Sequence, residues 1–443
     1  MATIWENINL PPREKLKGVE VADCTVIGGG LAGIMIAAEL ERRGFGVVVL
    51  EADRVLSGAT RGTTAKLTAQ HGLIYSKLSQ KISPMTARLY YDSNREGVEK
   101  IRRLVRERDI DCDFSDISTA VYGRDDDSAI SREMRTLEML RIEGEMIHPR
   151  DLPFEVKGAV EMKNQAQFHP LKFAGALSKN LKIYEKSPVV SLEDGKVTTP
   201  KGVVRTNYII CATHYPFLNI PGFYFLRQHQ YRSYALALGT DKKPERAYLG
   251  IDDNLSIRSF DRGIIVGGMG HRTGYNQKGG CYMNLLATAK RYYPKAEVIT
   301  CWSNQDVITH DGLPFIGRYS VFSPRMFVAT GFNKWGMSLS AVASNIVPDL
   351  ICGCENKYEK LYSPFRTHLK AAAVPFFEDA AHAVVGISRG MFSKREERCT
   401  HLGAKLQLNR DDGTLECPCH GSQFSCGGKV EFSPAVRDVR EKK

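Results

Sequence analysis

The chain has 443 residues, which at about 150 residues per domain is enough for roughly three globular units and excludes a single small module. Hydrophobic residues make up 43% and charged residues 25%, a composition that excludes wholesale disorder, a collagen-like chain and a disulfide scaffold. The net charge is +11, but the surplus is spread along the chain without a basic block, so we expect no nucleic-acid partner.

The N-terminus lacks a basic stretch followed by an apolar one, and no segment approaches 18 uninterrupted apolar residues. We therefore expect no membrane span. The 11 cysteines are too few for a disulfide framework in a chain of this size, so reduced thiols and a cytoplasmic location are expected.

Residues 24–51 have the pattern of a strand, a glycine-rich turn, a helix and a second strand. In Gly28-x-Gly30-x-x-Gly33, the glycines allow a tight turn, close approach of a pyrophosphate, and close packing of helix and strand. Glu51 ends the second strand, where its carboxylate can accept hydrogen bonds from ribose hydroxyls. The segment predicts a site for FAD or NAD, with a purely structural turn as the alternative.

Further along the chain, apolar runs at 208–212 and 263–268 predict buried strands, and helices are predicted at 87–108 and 131–143. A strand near 325–330 leads through a glycine-containing turn into a long apolar helix at 337–351. Composition changes after residue 352, which indicates a connection to a separate C-terminal unit.

Four segments resemble the D-amino-acid oxidase-like FAD-dependent oxidoreductases: 51–66, 212–213, 311–317 and 328–336. The resemblance covers about residues 20–360 and favours FAD over NAD. It implies that the helix after Gly336 directs its N-terminus at the flavin pyrimidine, where partial positive charge stabilises the reduced ring. The FAD-binding residues that it implies are Gly28, Gly30, Leu31, Ala32, Gly33, Glu51, Thr60, Thr63, Thr64, Val189, Ala212, Gly331, Gly336 and Met337.

Near the C-terminus, Cys399-Thr-His401 and Cys417-Pro-Cys-His420 give the pattern C-x-H, fifteen residues, C-x-x-H. Each segment offers one thiolate and one imidazole, the donors of a cluster in which two Cys hold one iron and two His the other. A zinc site with the same four ligands is the alternative, although zinc pairs usually have a wider first spacing.

The residues around these four ligands resemble a Rieske domain, which implies a [2Fe-2S] cluster. Many respiratory Rieske proteins join the two ligand loops by a disulfide. Here Ala404 follows Gly403, so Cys419 lacks that partner. The resemblance therefore implies a cluster of the disulfide-free kind.

The predicted fold is α/β (α+β): a Rossmann-like FAD-binding domain with an inserted antiparallel-sheet substrate domain, followed by a small all-β Rieske-like domain. The oxidoreductase is expected at 1–362, a linker at 363–378 and the Rieske-like domain at 379–443. Within the first unit, the FAD-binding parts are predicted at about 20–85, 150–215 and 300–355, and the substrate-facing parts at about 86–149 and 216–299.

A two-electron flavin and a one-electron cluster in one chain predict an enzyme that relays electrons. The family resemblance implies hydride transfer from a small amine or amino-acid derivative to flavin N5, then single electrons through the cluster to an external acceptor such as a redox protein. His ligation raises the cluster potential to about −150 to +300 mV, which makes it an acceptor for reduced flavin. Two alternatives remain: an electron-transfer or redox-sensing protein with no small-molecule amine substrate, and a protein in which the cluster only staples the C-terminal domain.

A Rieske oxygenase would also need a mononuclear iron held by two His and a carboxylate. No pair among the 11 histidines has helical spacing with a following carboxylate, which argues against that class. The candidates for catalytic residues are His71, which follows the flavin-loop resemblance, and His271 and Arg272, which follow a buried strand and resemble a segment on the substrate side of the flavin. A structural turn is the alternative for the last two.

Overall fold

The structure is a computed structural model and describes residues 2–6 and 8–439. Its strands, in chain order, are β1 Gly18–Ile27, β2 Val47–Leu50, β3 Lys66–Leu67, β4 Ser115–Gly123, β5 Glu145–Ile147, β6 Gly158–Gln167, β7 Lys182–Tyr184, β8 Ser191–Glu193, β9 Lys196–Thr198, β10 Gly202–Cys211, β11 Gln228–Gly239, β12 Ala247–Gly250, β13 Ser256–Phe260, β14 Gly263–Arg272, β15 Glu297–Thr309, β16 Phe315–Ser320, β17 Ser323–Thr330, β18 Gln407–Asn409, β19 Thr414–Glu416, β20 Gln423–Ser425 and β21 Val430–Phe432. Its α-helices are α1 Leu31–Arg42, α2 Ile74–Lys81, α3 Pro84–Glu107, α4 Ser128–Met139, α5 Pro170–Leu177, α6 Cys281–Tyr292, α7 Gly336–Cys352, α8 Glu359–Tyr362 and α9 Leu369–Met391.

The first sheet has the order β16-β17-β10-β1-β2-β7, with β8 and β9 attached beside β10. Strands β1, β2, β7, β10 and β17 pair in parallel. Every residue of β2 is buried, as expected for a parallel strand covered on both faces. Helices α1 and α7 contribute apolar residues to one core beside this sheet. The carboxyl ends of β1 and β10 meet at one edge, where open α/β sheets bind ligands.

The second sheet has nine strands in the order β15-β11-β14-β13-β12-β4-β6-β3, with β5 beside β6. Its pairs are antiparallel except β4 with β12. Because side chains alternate between faces, Ala235 and Ile265 join the main core while Leu236 and Val266 pack against α6. We call the face that carries Ala235 and Ile265 the core face, and the face that carries Leu236 and Val266 the outer face.

Strands β18 to β21 form a separate four-stranded antiparallel sheet near the C-terminus. The predicted fold class is confirmed: a parallel sheet with helices, a large and mainly antiparallel second sheet, and a small C-terminal β unit. None of the helices within 2–6 and 8–439 combines the length and apolar character needed to cross a bilayer.

Two predicted boundaries differ in detail from the secondary-structure elements of the structure. Residues 363–378 were expected to form a linker, but α9 begins at Leu369 and continues past residue 378, because the alanines at 371–373 favour helix. The segments predicted for FAD binding also supply β6 and β15 to the second sheet. Their pairing partners lie far away in sequence, so local patterns could not assign them to a sheet.

Candidate functional site

The glycine-rich turn between β1 and α1 packs directly against the end of β10. Gly28 has a φ of +109°, and a Cβ there would lie 2.4 Å from the carbonyl oxygen of Ala212. A Cβ on Gly33 would lie 1.9 Å from the carbonyl oxygen of Gly28. Side chains are therefore excluded at both positions. Gly30 is the N-cap of α1 and has no side chain to cap the helix, so backbone N–H groups at this terminus other than that of Leu31 are available to a phosphate.

Polar side chains surround this turn. The Glu51 carboxylate accepts hydrogen bonds from the backbone N–H groups of Gly29 at 2.7 Å and Asp53 at 2.9 Å. Burial raises the pKa of Glu51, and these two donors oppose the shift. The Thr60 hydroxyl accepts from the backbone N–H of Leu31 at 3.0 Å. The turn, the carboxylate and the hydroxyl thus form one cradle that fits a dinucleotide.

A second helix N-terminus lies at the same edge of the sheet. Gly331 has a φ of +74°, and a Cβ there would lie 2.3 Å from Cγ2 of Thr309. Gly336 and the buried Met337 begin α7, again without a side-chain cap. Because β17 pairs with β10, this terminus lies beside the cradle. Val189 does not line the cradle by a polar contact; it belongs to the apolar cluster that contains Leu50.

His71 lies near the N-terminus of α7, and both of its ring nitrogens have hydrogen-bond partners. Its ring stacks on Trp335 at a centroid distance of 4.4 Å. Its Nδ1 lies 2.7 Å from the Tyr90 hydroxyl and its Nε2 lies 2.8 Å from the carbonyl oxygen of Thr68. Burial lowers the pKa of His71 to about 3, so the ring is neutral near pH 7. The geometry suits a residue that positions Trp335.

A small cavity of about 10 Å³ lies between Trp335 and the second sheet. Its lining residues are Lys66, Thr68, Gln70, Thr119, Ala120, Val121, Ala247, Tyr248, Leu249 and Trp335. Lys66 donates hydrogen bonds to Thr64 and to Ser256 of β13. Thr63 accepts at its backbone carbonyl from the indole of Trp5 and at its hydroxyl from the N–H of Ala65.

The four predicted metal ligands converge in the C-terminal unit. Cys399, Cys417 and His420 are buried, and the rings of His401 and His420 stand 5.1 Å apart, edge to face. The Nδ1 atoms of both rings are buried without a hydrogen-bond partner. Burial and the neighbouring His420 lower the pKa of His401 to about 4, which keeps the ring neutral as a metal ligand requires. Two thiols and two unpartnered imidazole nitrogens fit a [2Fe-2S] cluster.

Cys419 lies beside this group and forms no disulfide. Its sulfur faces the carbonyl oxygens of His382 at 3.9 Å and Ala383 at 3.7 Å in α9. Every cysteine in the described ranges is a free thiol. Ala404, which stands where a bridging cysteine would be expected, is completely buried.

Both histidine ligands face the flavin-binding part, and three of the four predicted cluster ligands are buried. The His420 ring is 2% exposed and lies 6.5 Å from the Tyr215 ring and 5.7 Å from the Phe225 ring. Nε2 of His401 is hydrogen-bonded to the Asn219 side chain. These three contacts come from the segment that follows β10, whose first residue, Ala212, touches the glycine-rich turn. One short segment therefore joins the dinucleotide cradle to the cluster ligands.

Buried ion pairs hold the C-terminal unit on the outer face of the second sheet. Arg232 of β11 bonds to Asp412 at 2.9 Å and to Glu416 at 2.8 Å. The Asp411 carboxylate accepts from the backbone N–H groups of Gly280 and Cys281 at the start of α6, each at 3.0 Å. A carboxylate at a helix N-terminus is electrostatically favourable. Sequence patterns alone give no sign of these contacts.

The side-chain amides of Gln230 and Gln305 hold the loop that carries Cys417 and His420, which we call the cluster loop. Gln230 donates to the carbonyl oxygen of His420 at 2.7 Å, and Gln305 donates to that of Gly421 at 2.6 Å. Both glutamines are buried. The cluster loop is therefore held in a fixed position relative to the second sheet.

His271 and Arg272, which were predicted on the substrate side of the flavin, lie beside the C-terminal unit in the structure. His271 is hydrogen-bonded to the Tyr234 hydroxyl, and Arg272 pairs with Asp379 of α9 and points toward the carbonyl oxygen of Cys419. Both side chains thus contact the region where the C-terminal unit docks. The sequence could not reveal this, because the face of a strand that a distant unit covers is set by tertiary packing.

His229, His310 and Asp379 bring three possible ligand atoms within 4.8 Å of one another. This is a two-His, one-carboxylate group, assembled from three elements and invisible to the helical-spacing criterion. Both imidazoles, however, bond to one carboxylate oxygen at 3.0 and 2.7 Å, and Arg272 bonds to the other. Burial opposes ionisation of Asp379, but these partners hold its pKa well below the usual range. The group forms a complete ion network that anchors α9.

Comparisons with known proteins agree with this division of the chain. Residues 23–350 match the family model described as FAD dependent oxidoreductase, and residues 370–442 match the Rieske [2Fe-2S] domain. The chain is 33% identical to the Rieske 2Fe-2S iron-sulfur protein YhfW of Bacillus subtilis over 99% of its own length and 97% of that protein. It is 28% identical to gamma-glutamylputrescine oxidoreductase of Escherichia coli over 45% of this chain and 51% of that protein.

Solved structures with the same fold include two flavoenzymes. Glycine oxidase from Geobacillus kaustophilus superposes with a TM-score of 0.67 at 19% identity, over 79% of this chain and 99% of that one. L-Proline dehydrogenase from P. horikoshii superposes with a TM-score of 0.66 at 20% identity, over 79% and 98%. At these identities the likeness establishes the fold of about four-fifths of the chain and nothing finer.

Proposed function

Because the chain belongs to the FAD-dependent oxidoreductase family and carries a C-terminal Rieske domain, we propose that it oxidises a C–N bond of a small amine or amino-acid derivative and delivers the electrons to an external acceptor. The oxidoreductase domain binds FAD and the Rieske domain binds a [2Fe-2S] cluster. When bound, FAD supplies a two-electron acceptor and the cluster a one-electron carrier.

The observation that carries this proposal is the burial of the cluster ligands against the flavin-binding part. A cluster whose only task was to exchange electrons with outside proteins would gain from exposed histidines. Here Tyr215, Asn219 and Phe225 cover His401 and His420. The segment that carries them begins at Ala212, beside the dinucleotide turn. This arrangement supports transfer within one chain.

Fixed docking supports the same conclusion. The Arg232 ion pairs and the amides of Gln230 and Gln305 hold the cluster loop against the second sheet. If the cluster is held at a fixed distance from the flavin, electron transfer between them covers the same distance in every molecule. A module that swung on a linker would need a mobile connection, whereas α9 is continuous and anchored through Asp379.

We assign the residues of the two sites as follows. FAD is held by the cradle around Gly28, Glu51, Thr60 and Ala212, together with the N-terminus of α7. The cluster is held by Cys399, His401, Cys417 and His420. The substrate enters between Trp335 and the core face of the second sheet, where His71 fixes the indole by stacking. Closed packing on that side excludes water from the reacting groups.

The test is an anaerobic titration of the holoprotein with a panel of amines and amino acids, monitored by flavin absorbance and by the electron paramagnetic resonance of the reduced cluster. We expect the productive compound to bleach the flavin and then to produce the cluster signal. A Cys399→Ser variant should still bleach but give no signal and should reduce an external one-electron acceptor at least tenfold more slowly. Flavin bleaching without cluster reduction in the wild-type protein would contradict the relay.

A further inference from the structure

Helix α9 exposes large apolar side chains to solvent. Val374, Phe377, Val384 and Met391 are each between 63% and 70% exposed. Their spacing of three and seven residues places them on one side of the helix. We call these four residues the apolar stripe. At a rise of 1.5 Å per residue, the stripe extends along about 26 Å of the helix.

The opposite side of α9 carries small or charged residues. Its buried positions are Ala371, Asp379, Gly386 and Gly390. A surface helix normally turns its large apolar residues toward the core and its polar residues toward water. Helix α9 has the reverse arrangement. A contiguous exposed apolar surface of this kind marks an interaction site.

The side of α9 away from the stripe packs against the cluster ligands. Ala383 and Ile387 join the apolar group that contains Cys399 and Cys417. The carbonyl oxygen of Gly386 accepts a hydrogen bond from the backbone N–H that follows Ala404, at 3.1 Å. An α-helix with its side chains is about 10–12 Å across. About one helix diameter therefore separates the two thiol ligands from the apolar stripe.

The two imidazole ligands point in another direction. His401 is hydrogen-bonded to Asn219, and the rings of Tyr215 and Phe225 lie beside the His420 ring. These contacts come from the segment that begins beside the dinucleotide turn, where electrons enter in the proposed function. The thiol ligands and α9 thus lie on the side that electrons can use to leave.

Exposed charges near the C-terminal end of the stripe are mainly basic. Between residues 385 and 396, three basic side chains, Arg389, Lys394 and Arg395, and one acidic side chain, Glu396, are exposed. Glu378, the exposed carboxylate of α9 itself, lies about three turns before Arg389. We call the three basic residues the basic border. An apolar centre with a basic border complements a partner with an acidic border.

We propose that the apolar stripe and its basic border form the docking surface for the external electron acceptor, and that this acceptor is a one-electron carrier protein with an acidic surface. This inference rests on the proposed function for the direction of electron flow. In each encounter the cluster is oxidised by one electron and the carrier is reduced by one electron. Two encounters therefore remove the two electrons that oxidation of one C–N bond delivers. A single helix offers a small surface, and small interfaces are typical of transient electron-transfer complexes.

The test starts from the FAD- and cluster-loaded protein, reduced with stoichiometric dithionite in the absence of substrate. It is mixed with an acidic blue-copper protein, or with a basic c-type cytochrome as the oppositely charged match, while the cluster absorbance is recorded. We expect the blue-copper protein to oxidise the cluster at least tenfold faster than the cytochrome at low salt. Because salt screens exposed charges, this advantage should shrink as the ionic strength rises.

Substitutions on α9 locate the docking surface. Phe377→Ser and Val384→Ser should each lower the second-order rate constant with the blue-copper protein at least tenfold. Phe322→Ser, at an 84% exposed phenylalanine between β16 and β17, is the matched control and should react as wild type. Arg395→Glu should slow the reaction with the blue-copper protein and speed the reaction with the cytochrome. A purely structural role of Arg395 would not reverse the preference.

Binding is measured separately, without electron transfer. The oxidised protein is added to isotopically labelled, reduced blue-copper protein, and the nuclear magnetic resonance lines of the carrier are recorded. We expect selective broadening with the wild type and with Phe322→Ser, and at least tenfold weaker binding with Val384→Ser. The cluster spectrum of each variant establishes that the C-terminal unit is folded.

Three outcomes would overturn the inference. The first is wild-type transfer and broadening in both Phe377→Ser and Val384→Ser. The second is a wild-type dimer that dissociates in Val384→Ser while transfer is unchanged, which would assign the stripe to a second copy of this chain. The third is binding to anionic phospholipid vesicles that Val384→Ser abolishes while transfer is unchanged, which would assign it to a lipid surface.

The inference and the proposed function fail separately, because dithionite replaces the substrate. If no amine or amino acid reduces the flavin but the reduced cluster still reacts through the stripe, the docking surface stands and the proposed oxidation fails. If a substrate reduces flavin and cluster while the stripe variants transfer electrons as wild type, the oxidation stands and the docking surface fails.

Discussion

Lys66 and His71 lie five residues apart, and their surroundings give them different chemistry. Both are desolvated, so both pKa values fall, but His71 has protein partners at each ring nitrogen whereas Lys66 bonds only to hydroxyl groups at the edge of a cavity. A neutral, fully bonded imidazole positions its neighbours. An ammonium group that faces a cavity can meet a ligand. The difference was not visible in the sequence, where both residues follow the same loop.

At the scale of single elements, α9 determines how closely the C-terminal unit can approach. Gly386 and Gly390 lie four residues apart and therefore on one face of the helix. A Cβ on Gly386 would lie 2.6 Å from the Cys419 sulfur, and one on Gly390 would lie 2.0 Å from the carbonyl oxygen of Gly403. Both ligand loops thus pack against a helix surface without side chains. The alanine-rich start of the segment was visible in the sequence, but its length was not, because loop-like glycines occupy its end.

Gly386→Ala tests this contact. The added methyl group should displace the loop that carries Cys417 and His420 and destabilise the unit by about 1–3 kcal/mol, as overpacking of a close contact does. Iron content and the cluster absorbance during thermal unfolding would report the change. Gly427→Ala serves as the control, because it lies in a turn of the same unit and an added Cβ would be no closer than 3.5 Å to its nearest neighbour, Oγ of Ser425. Equal cluster stability in both variants would contradict the role assigned to Gly386.

At the scale of the whole molecule, the second sheet separates two functions. Its core face carries Lys66 and Arg258 toward the flavin side, and its outer face carries Gln230 and Arg232 to the C-terminal unit. The segment after β10 connects the dinucleotide turn to the cluster ligands. In the proposed function, substrate chemistry and electron exit therefore use opposite faces of this sheet.

The Asp379 network predicts the metal content of the whole protein. Because Arg272 and two imidazoles already satisfy that carboxylate, we expect two iron atoms per chain, all in the cluster, and the same content in Asp379→Asn. Metal analysis by mass spectrometry alongside FAD quantification measures this. A third metal ion that is present in the wild type and absent from Asp379→Asn would show that the triplet is a metal site.

By itself, the sequence determined the fold class, both cofactors and the chemistry of their local motifs. Turns such as Gly28–Gly33 and loops such as Cys399–His401 recruit their functional groups within a few residues, so short-range spacing suffices. Only the tertiary structure shows that Lys66 lies near Arg258, that the Tyr215 ring lies beside the His420 ring, and that Arg272 contacts the C-terminal unit. These contacts join residues separated by over 100 positions, and strand order, sheet curvature and the choice of face bring them together.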